Sequence, residues 1–256
     1  SDVYNRQRLY RAADYVTRHP HLELVELNSF GCGLDAVVTD QVQEIMHQRG
    51  RLYTCLKIDQ SLNLGAVRIR LRSLKAAIEE RGEETGSAKP IEYPKAVFTE
   101  AMKRDKDYTI LAPEMSPIHF PIIEAAVQRE GYHIEIIPPI HEDIDKGLSC
   151  VNNDACYPAI ITIGSLMRAL TSGKYDLSKT AVMLSQTGGM CRASNYVGFL
   201  HKALDEAGLS DIPVISLNTH GFEPQPGFHF SLSMGRRMIQ AVIYGDALQQ
   251  CLYRTR

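Results

Sequence analysis

The chain has 256 residues, 28 basic and 30 acidic side chains, and a formal net charge of −2. That length provides for one large or two modest domains with an ample core, and the near-balance of charge gives no electrostatic basis for nucleic acid or an anionic membrane as principal partner. No apolar run approaches the roughly 20 residues that a membrane span requires, and the opening Ser1-Asp2-Val3-Tyr4-Asn5-Arg6 lacks the basic-then-apolar pattern of a signal peptide, so the expectation is a cytoplasmic protein with no membrane and no nucleic acid among its partners.

Val3 to Arg18 has helical periodicity, with Leu9, Ala12, Ala13 and Val16 on one side. His21 to Leu27 reads as a strand. After a Gly31-Cys32-Gly33 turn, Asp35 stands where it caps a helix that runs through Val37, Val38, Val42, Ile45 and Met46. Arg51 to Ile58 is a second strand. Leu64 to Arg81 is a basic helix with Val67, Leu71, Leu74 and Ile78 as its apolar stripe. The stretch from Gly82 to Pro94 has the Gly, Ser, Pro and charge content of a linker. It predicts a first α/β lobe over 1–88 and a second over 89–256.

The second part alternates. Strands are predicted over Tyr108–Ala112, Tyr132–Ile137, Thr180–Ser185 and Pro213–Leu217, with helices over Pro117–Glu130, Ala159–Thr171, Asn195–Ala207 and Ser231–Tyr253 and a polar helical stretch around His141–Lys146. Strands separated by helices of this length imply βαβ units. The fold class is therefore α/β: Rossmann-like, doubly wound, mainly parallel sheets in two lobes with a cleft between them. No third glycine follows Gly31 and Gly33 at the dinucleotide-fingerprint offset, which leaves little support for nucleotide binding there.

Six cysteines, at 32, 55, 150, 156, 191 and 251, include no Cys-x-x-Cys pair, and without an export signal a disulfide framework is not expected. Three of them stand where an apolar run gives way to an amphipathic one. Cys32 lies between Gly31 and Gly33, which let the backbone approach a ligand; the following helix aims N–H groups and a positive dipole end at the thiol. Cys156 precedes Tyr157-Pro158 and so sits near a helix N-cap. Cys191 follows Gly188-Gly189-Met190 and precedes Arg192, the composition of an anion-binding nest. Each has a plainer reading: a tight turn, a polar cap, or a phosphate cradle. In an open α/β sheet such turns gather outside the carboxyl ends of the strands, and three converging thiols are a ligand set for an iron–sulfur cluster. Cys55 and Cys251 read as core, and Cys150 is open to either reading. His119 and His229, in loops flanked by Pro or Gly, are candidates for an anion donor or proton shuttle.

The segments ELNSFGCGLDAVVTDQVQEIM, YTCLKID, RIRLRSLKAA, VNNDACYPAIITIG and QTGGMCRASNY together resemble the dehydratase-like region of the large activator proteins of 2-hydroxyacyl-CoA dehydratases, the CoA-substrate-specific enzyme activases. The resemblance runs from about Leu22 to Leu217. It implies a cytoplasmic, often anaerobic setting and Rossmann-like domains. It also implies a [4Fe–4S] or double-cubane cluster held on three cysteines per subunit, and ATP-driven low-potential electron transfer. Carried over by position, the cluster thiolates are Cys32, Cys156 and Cys191, with Gly31, Gly33, Gly188, Gly189 and Arg192 around the cofactor. No ATPase module is present, so the chain is expected to be part of a longer protein and to work with an ATPase activator domain and a dehydratase-like partner. The cysteine spacing departs from that of the dehydratase subunits, which argues against dehydration of a CoA ester by this chain. The alternatives from other classes are a docking or regulatory module without a cluster, and an enzyme that binds a small anion or the phosphate of CoA.

Overall fold

The computed structural model describes residues 2–28, 35–58, 64–81, 96–151, 155–185, 196–217 and 225–255. All strand pairs among them are parallel. The chain divides into two compact units, at the boundary between Glu92 and Tyr93, and Ala155 and Cys156 group with the first.

The first unit holds α1 (Asp2–Thr17), β1 (Leu24–Asn28), α2 (Asp35–Gln48), β2 (Tyr53–Lys57) and α3 (Leu64–Arg81). Leu24 lies opposite Tyr53 and Asn28 opposite Lys57. A parallel pair needs a crossover, and α2 supplies it. Val38, Val42 and Met46 recur every four residues on α2, so they share one face, and that face meets Ala13 and Val16 of α1. The buried Arg51 ties the α1–β1 turn to the start of β2. Its guanidinium donates to the carbonyl oxygens of His19, at 3.2 Å, and of Leu22, and pairs with Glu23 at 3.4 Å. The expected stripe of α3 is only half realised: Val67 and Leu74 are partly buried, whereas Leu71 and Ile78 are exposed.

The second unit holds α4 (Glu100–Arg104), β3 (Thr109–Pro113), α5 (Phe120–Gln128), β4 (Ile134–Ile137), α6 (Glu142–Cys150), α7 (Tyr157–Thr171), β5 (Thr180–Ser185), α8 (Tyr196–Glu206), β6 (Val214–Leu217) and α9 (Leu232–Thr255). The strand order β4-β3-β5-β6 reverses direction of travel between β3 and β5, as in an open, doubly wound sheet, and is compatible with a Rossmann-like fold. Alternate strand residues serve opposite faces. Ile110, Ala112, Ile134, Ala181, Met183 and Ile215 meet α5 and α9, while Leu111, Val182, Leu184 and Val214 are buried on the side of α7 and α8. Burial on both faces is why these strands read as near-continuous apolar runs. Among the described residues no helix is long and apolar enough to cross a membrane.

Helices α6 and α7 touch backbone to backbone. A Cβ on Gly164 would fall on the carbonyl oxygen of Asp143, and one on Gly147 would fall on that of Ile160. Asp143 is fully buried at this contact. It pairs with Arg168 Nε at 2.5 Å and accepts the Ile140 N–H at 2.8 Å. A buried carboxylate needs such partners, because leaving it alone would cost several kcal/mol. The fit predicts that Gly164→Ala destabilises the second unit by about 3 kcal/mol, read as a lower urea midpoint at unchanged slope.

Candidate functional site

The cysteine segments are framed by regular elements. Residue 32 falls in the connection between β1, which ends at Asn28, and α2, which begins at Asp35. Residue 191 falls between β5, which ends at Ser185, and α8, which begins at Tyr196. Cys32, Cys191, Gly31, Gly33, Gly188, Gly189 and Arg192 themselves lie outside the described residues. Cys156 is described. It is partly buried, forms no disulfide, and immediately precedes the 15-residue helix α7, with Pro158 in the helix's first turn. A helix start carries unpaired N–H groups and a positive dipole end, so a thiolate or an anion beside Cys156 has a favourable local field.

The other cysteines divide. Cys55 is buried in mid-strand in β2, and its carbonyl accepts from Arg70 Nη1 at 3.0 Å. Cys150 ends α6 with its sulfur 3.6 Å from Ser149 Oγ. Cys251 corrects the expectation of a core residue: it is exposed on α9, because the buried face of that helix is set by Met234, Ala241 and Gly245.

Beside the start of the Cys32 connection lies a buried polar cluster that no sequence motif announces. Glu26 accepts from Thr39 Oγ1 at 3.0 Å and from the Tyr53 hydroxyl at 2.9 Å. Asn28 Nδ2 donates to Thr39 Oγ1 at 3.0 Å, and Asn28 Oδ1 has no partner among the described residues. Burial first, then the Glu26 carboxylate and Cys55, push the Tyr53 phenol far above its ordinary value. The four residues bind β1, α2 and β2 together, from Tyr53 at the amino end of the two-stranded sheet to Asn28 at its carboxyl end.

In the second unit, the loop after β3 carries Ser116 and His119. Ser116 Oγ lies 2.8 Å from His119 Nδ1, and His119 Nε2 lies 3.0 Å from Asp246 Oδ1 of α9. The imidazole rests on Gly245, where a Cβ would meet the ring. This chain of hydrogen bonds has the composition of a nucleophile relay, but the neighbouring start of α5 offers no donors for an oxyanion. The first N–H groups of α5 are already spent on local carbonyls: Phe120 N on Ser116 O, and Ile122 N and Ile123 N on His119 O. Its evident work is to latch α5 to α9. His229 instead sits 2.8 Å from Glu100 and donates its backbone N–H to the Tyr132 hydroxyl oxygen. Neither histidine meets the other or a described cysteine through a hydrogen bond that the structure shows. Among the described residues no group of three or more His, Cys, Asp or Glu side chains is placed to hold a metal ion.

Comparison of the chain with family models, with curated proteins and with solved structures finds no match.

Two predictions follow from these clusters. A folded-state phenol value raised above the ordinary one near pH ~10 stabilises below that pH, and the stabilisation is lost as pH rises toward the folded value. Tyr53→Phe is therefore expected to be less stable than wild type at neutral pH, by about 1–2 kcal/mol for the lost bond to a charged acceptor, with the gap narrowing above pH ~10 in thermal melts. Gly245→Ala is expected to displace the His119 ring and cost about 1–3 kcal/mol, whereas Asp246→Ala, which removes an exposed partner, costs less than about 1 kcal/mol; chemical denaturation of the two variants distinguishes packing from charge as the source of the latch.

Proposed function

We propose that this chain is an iron–sulfur-binding, electron-transfer domain of an activase-like protein related to 2-hydroxyacyl-CoA dehydratases, with Cys32, Cys156 and Cys191 as cluster thiolates. The supporting observation is the framing of the three cysteines. Two fall in connections from a parallel strand to a helix, and the third is a half-buried thiol at the start of α7. Cysteines so placed share helix N-termini that offset the negative charge of a cluster.

The donor chemistry fits the group. Cys156 is a partly buried thiol directly before the first turn of α7, whereas Cys55 is buried within β2. The cluster, [4Fe–4S] or double-cubane, supplies the one-electron chemistry. The chain's own residues would hold it, shield it from water, and tune it through Gly31, Gly33, Gly188, Gly189 and Arg192. In this reading the two units are Rossmann-like lobes with a cleft between them, the protein is cytoplasmic, and an ATPase activator domain and a dehydratase-like chain are its partners. A docking module without a cluster is the second reading, favoured by the exposed Ile239, Ile243, Tyr244 and Tyr253 on α9.

The test is anaerobic reconstitution of the full chain with iron and sulfide. Broad visible absorbance with matching iron and acid-labile sulfide is expected, lost in Cys32→Ala, Cys156→Ala and Cys191→Ala and kept in Cys55→Ala and Cys251→Ala. An iron-free, colourless chain, or a cluster indifferent to the three substitutions, would overturn the reading.

A further inference from the structure

The second unit holds a partly open apolar cavity of about 160 Å³ at the carboxyl edge of its sheet. The floor is made by the last residues of β3 and β5, Ala112 and Pro113 on one and Met183 to Ser185 on the other. Those two strands flank the point where the strand order reverses, the place where open α/β sheets receive their ligands. Phe120 and Ile123 of α5 and Met234 and Met238 of α9 form the walls.

From this geometry we propose that the second unit binds a small neutral ligand, a ring of about six carbons bearing one hydroxyl, with the ring in the cavity and the hydroxyl on Ser185. Size sets the first limit. An apolar protein cavity of about 150 Å³ accepts benzene, so a cavity of this volume suits a single ring. Lining sets the second. Among the described residues every lining side chain apart from Ser185 is apolar, and against these a charged ligand would lose its hydration without compensation. Four of the eight methionines of the chain, at 115, 183, 234 and 238, face the cavity; their flexible, polarisable thioethers adapt to a ring and contact its edge favourably. Orientation is the third element. By strand alternation Ser185 shares the face of Ala181 and Met183, and no hydrogen bond of its hydroxyl is made among the described residues. That single polar group is the sort of sparse, placed contact that orients a ligand in an apolar pocket. None of the described lining residues is a cysteine.

The probes are phenol and benzene, titrated into the full chain labelled with ¹³C on the methionine methyls. Saturable shifts are expected at the buried Met183 and Met234, with phenol about fivefold tighter than benzene, the equivalent of one net hydrogen bond. Ser185→Ala leaves the volume intact and should erase that preference while benzene binding persists. Ala112→Leu should abolish both, its own methyl spectrum reporting whether the fold is kept; if it is not, Ser185→Ala decides alone. Absence of saturable shifts at Met183 and Met234, shifts confined to the exposed Met115, or equal affinity of the two probes in wild type would each overturn the proposal.

Discussion

Parallel pairing is the constraint from which the rest follows. Each parallel pair must be bridged by a chain that returns along the sheet, and here helices do so: α2 between β1 and β2, α5 between β3 and β4, α8 between β5 and β6. Every strand of one sheet therefore ends at the same edge. Several of the segments singled out above occupy such connections, although Cys156 instead stands between α6 and α7. Cys32 follows β1, Ser116 and His119 follow β3, Cys191 follows β5, and the apolar cavity opens where β3 and β5 end. A sheet of antiparallel hairpins would have distributed the same residues over two edges.

That arrangement obliges the helices to be held hard against the sheet, and the buried polar groups do part of this work. Asp143 and Arg168 lock α6 to α7 where glycines remove the side chains that would keep the backbones apart. Arg51 closes the entry to β1, and the Glu26–Thr39–Asn28–Tyr53 cluster joins β1, α2 and β2. A charged or polar group in these positions contributes little over a well-packed apolar one, yet removing one partner leaves the other desolvated and alone. Such clusters fix register and orientation more than they add stability.

Local pattern carried the regular elements, and failed where packing or distance decided. Leu64–Arg81 and Thr180–Ser185 coincide with their predicted bounds because strong periodicity or an apolar run persists to both ends. The helix after β3 starts at Phe120 rather than Pro117, because the Ser116 carbonyl captures the Phe120 N–H in a turn first. The five-residue α4, capped by Thr99, is too short for a periodic window to detect. The pairings His119–Asp246 and Glu26–Tyr53 span 127 and 27 residues, and composition cannot relate positions that only topology brings together. Proximity in sequence hints only at Ser116 beside His119, which share a turn; nothing hints at Asp246. The exposure of Cys251 was hidden for another reason: α9 is apolar on more than one side, so its periodicity does not say which side faces the sheet.

The cavity marks the limit of sequence reading most sharply, because an empty volume has no letters. Its lining residues are those of any α/β core, and Met183, Ile134 or Val127 would be assigned to packing from pattern alone. What separates this volume from an ordinary packing defect is its position and its one hydroxyl. Interiors are close-packed and leave few voids larger than a water molecule, and a void between well-matched apolar faces costs stability in proportion to its size. A void at the reversal of strand order, between two strand ends and bordered by Ser185, is where such a cost has a return in binding. The parallel order of β3 and β5 thus brings two strand ends to one edge of the second unit's sheet, and the apolar recess lies between them.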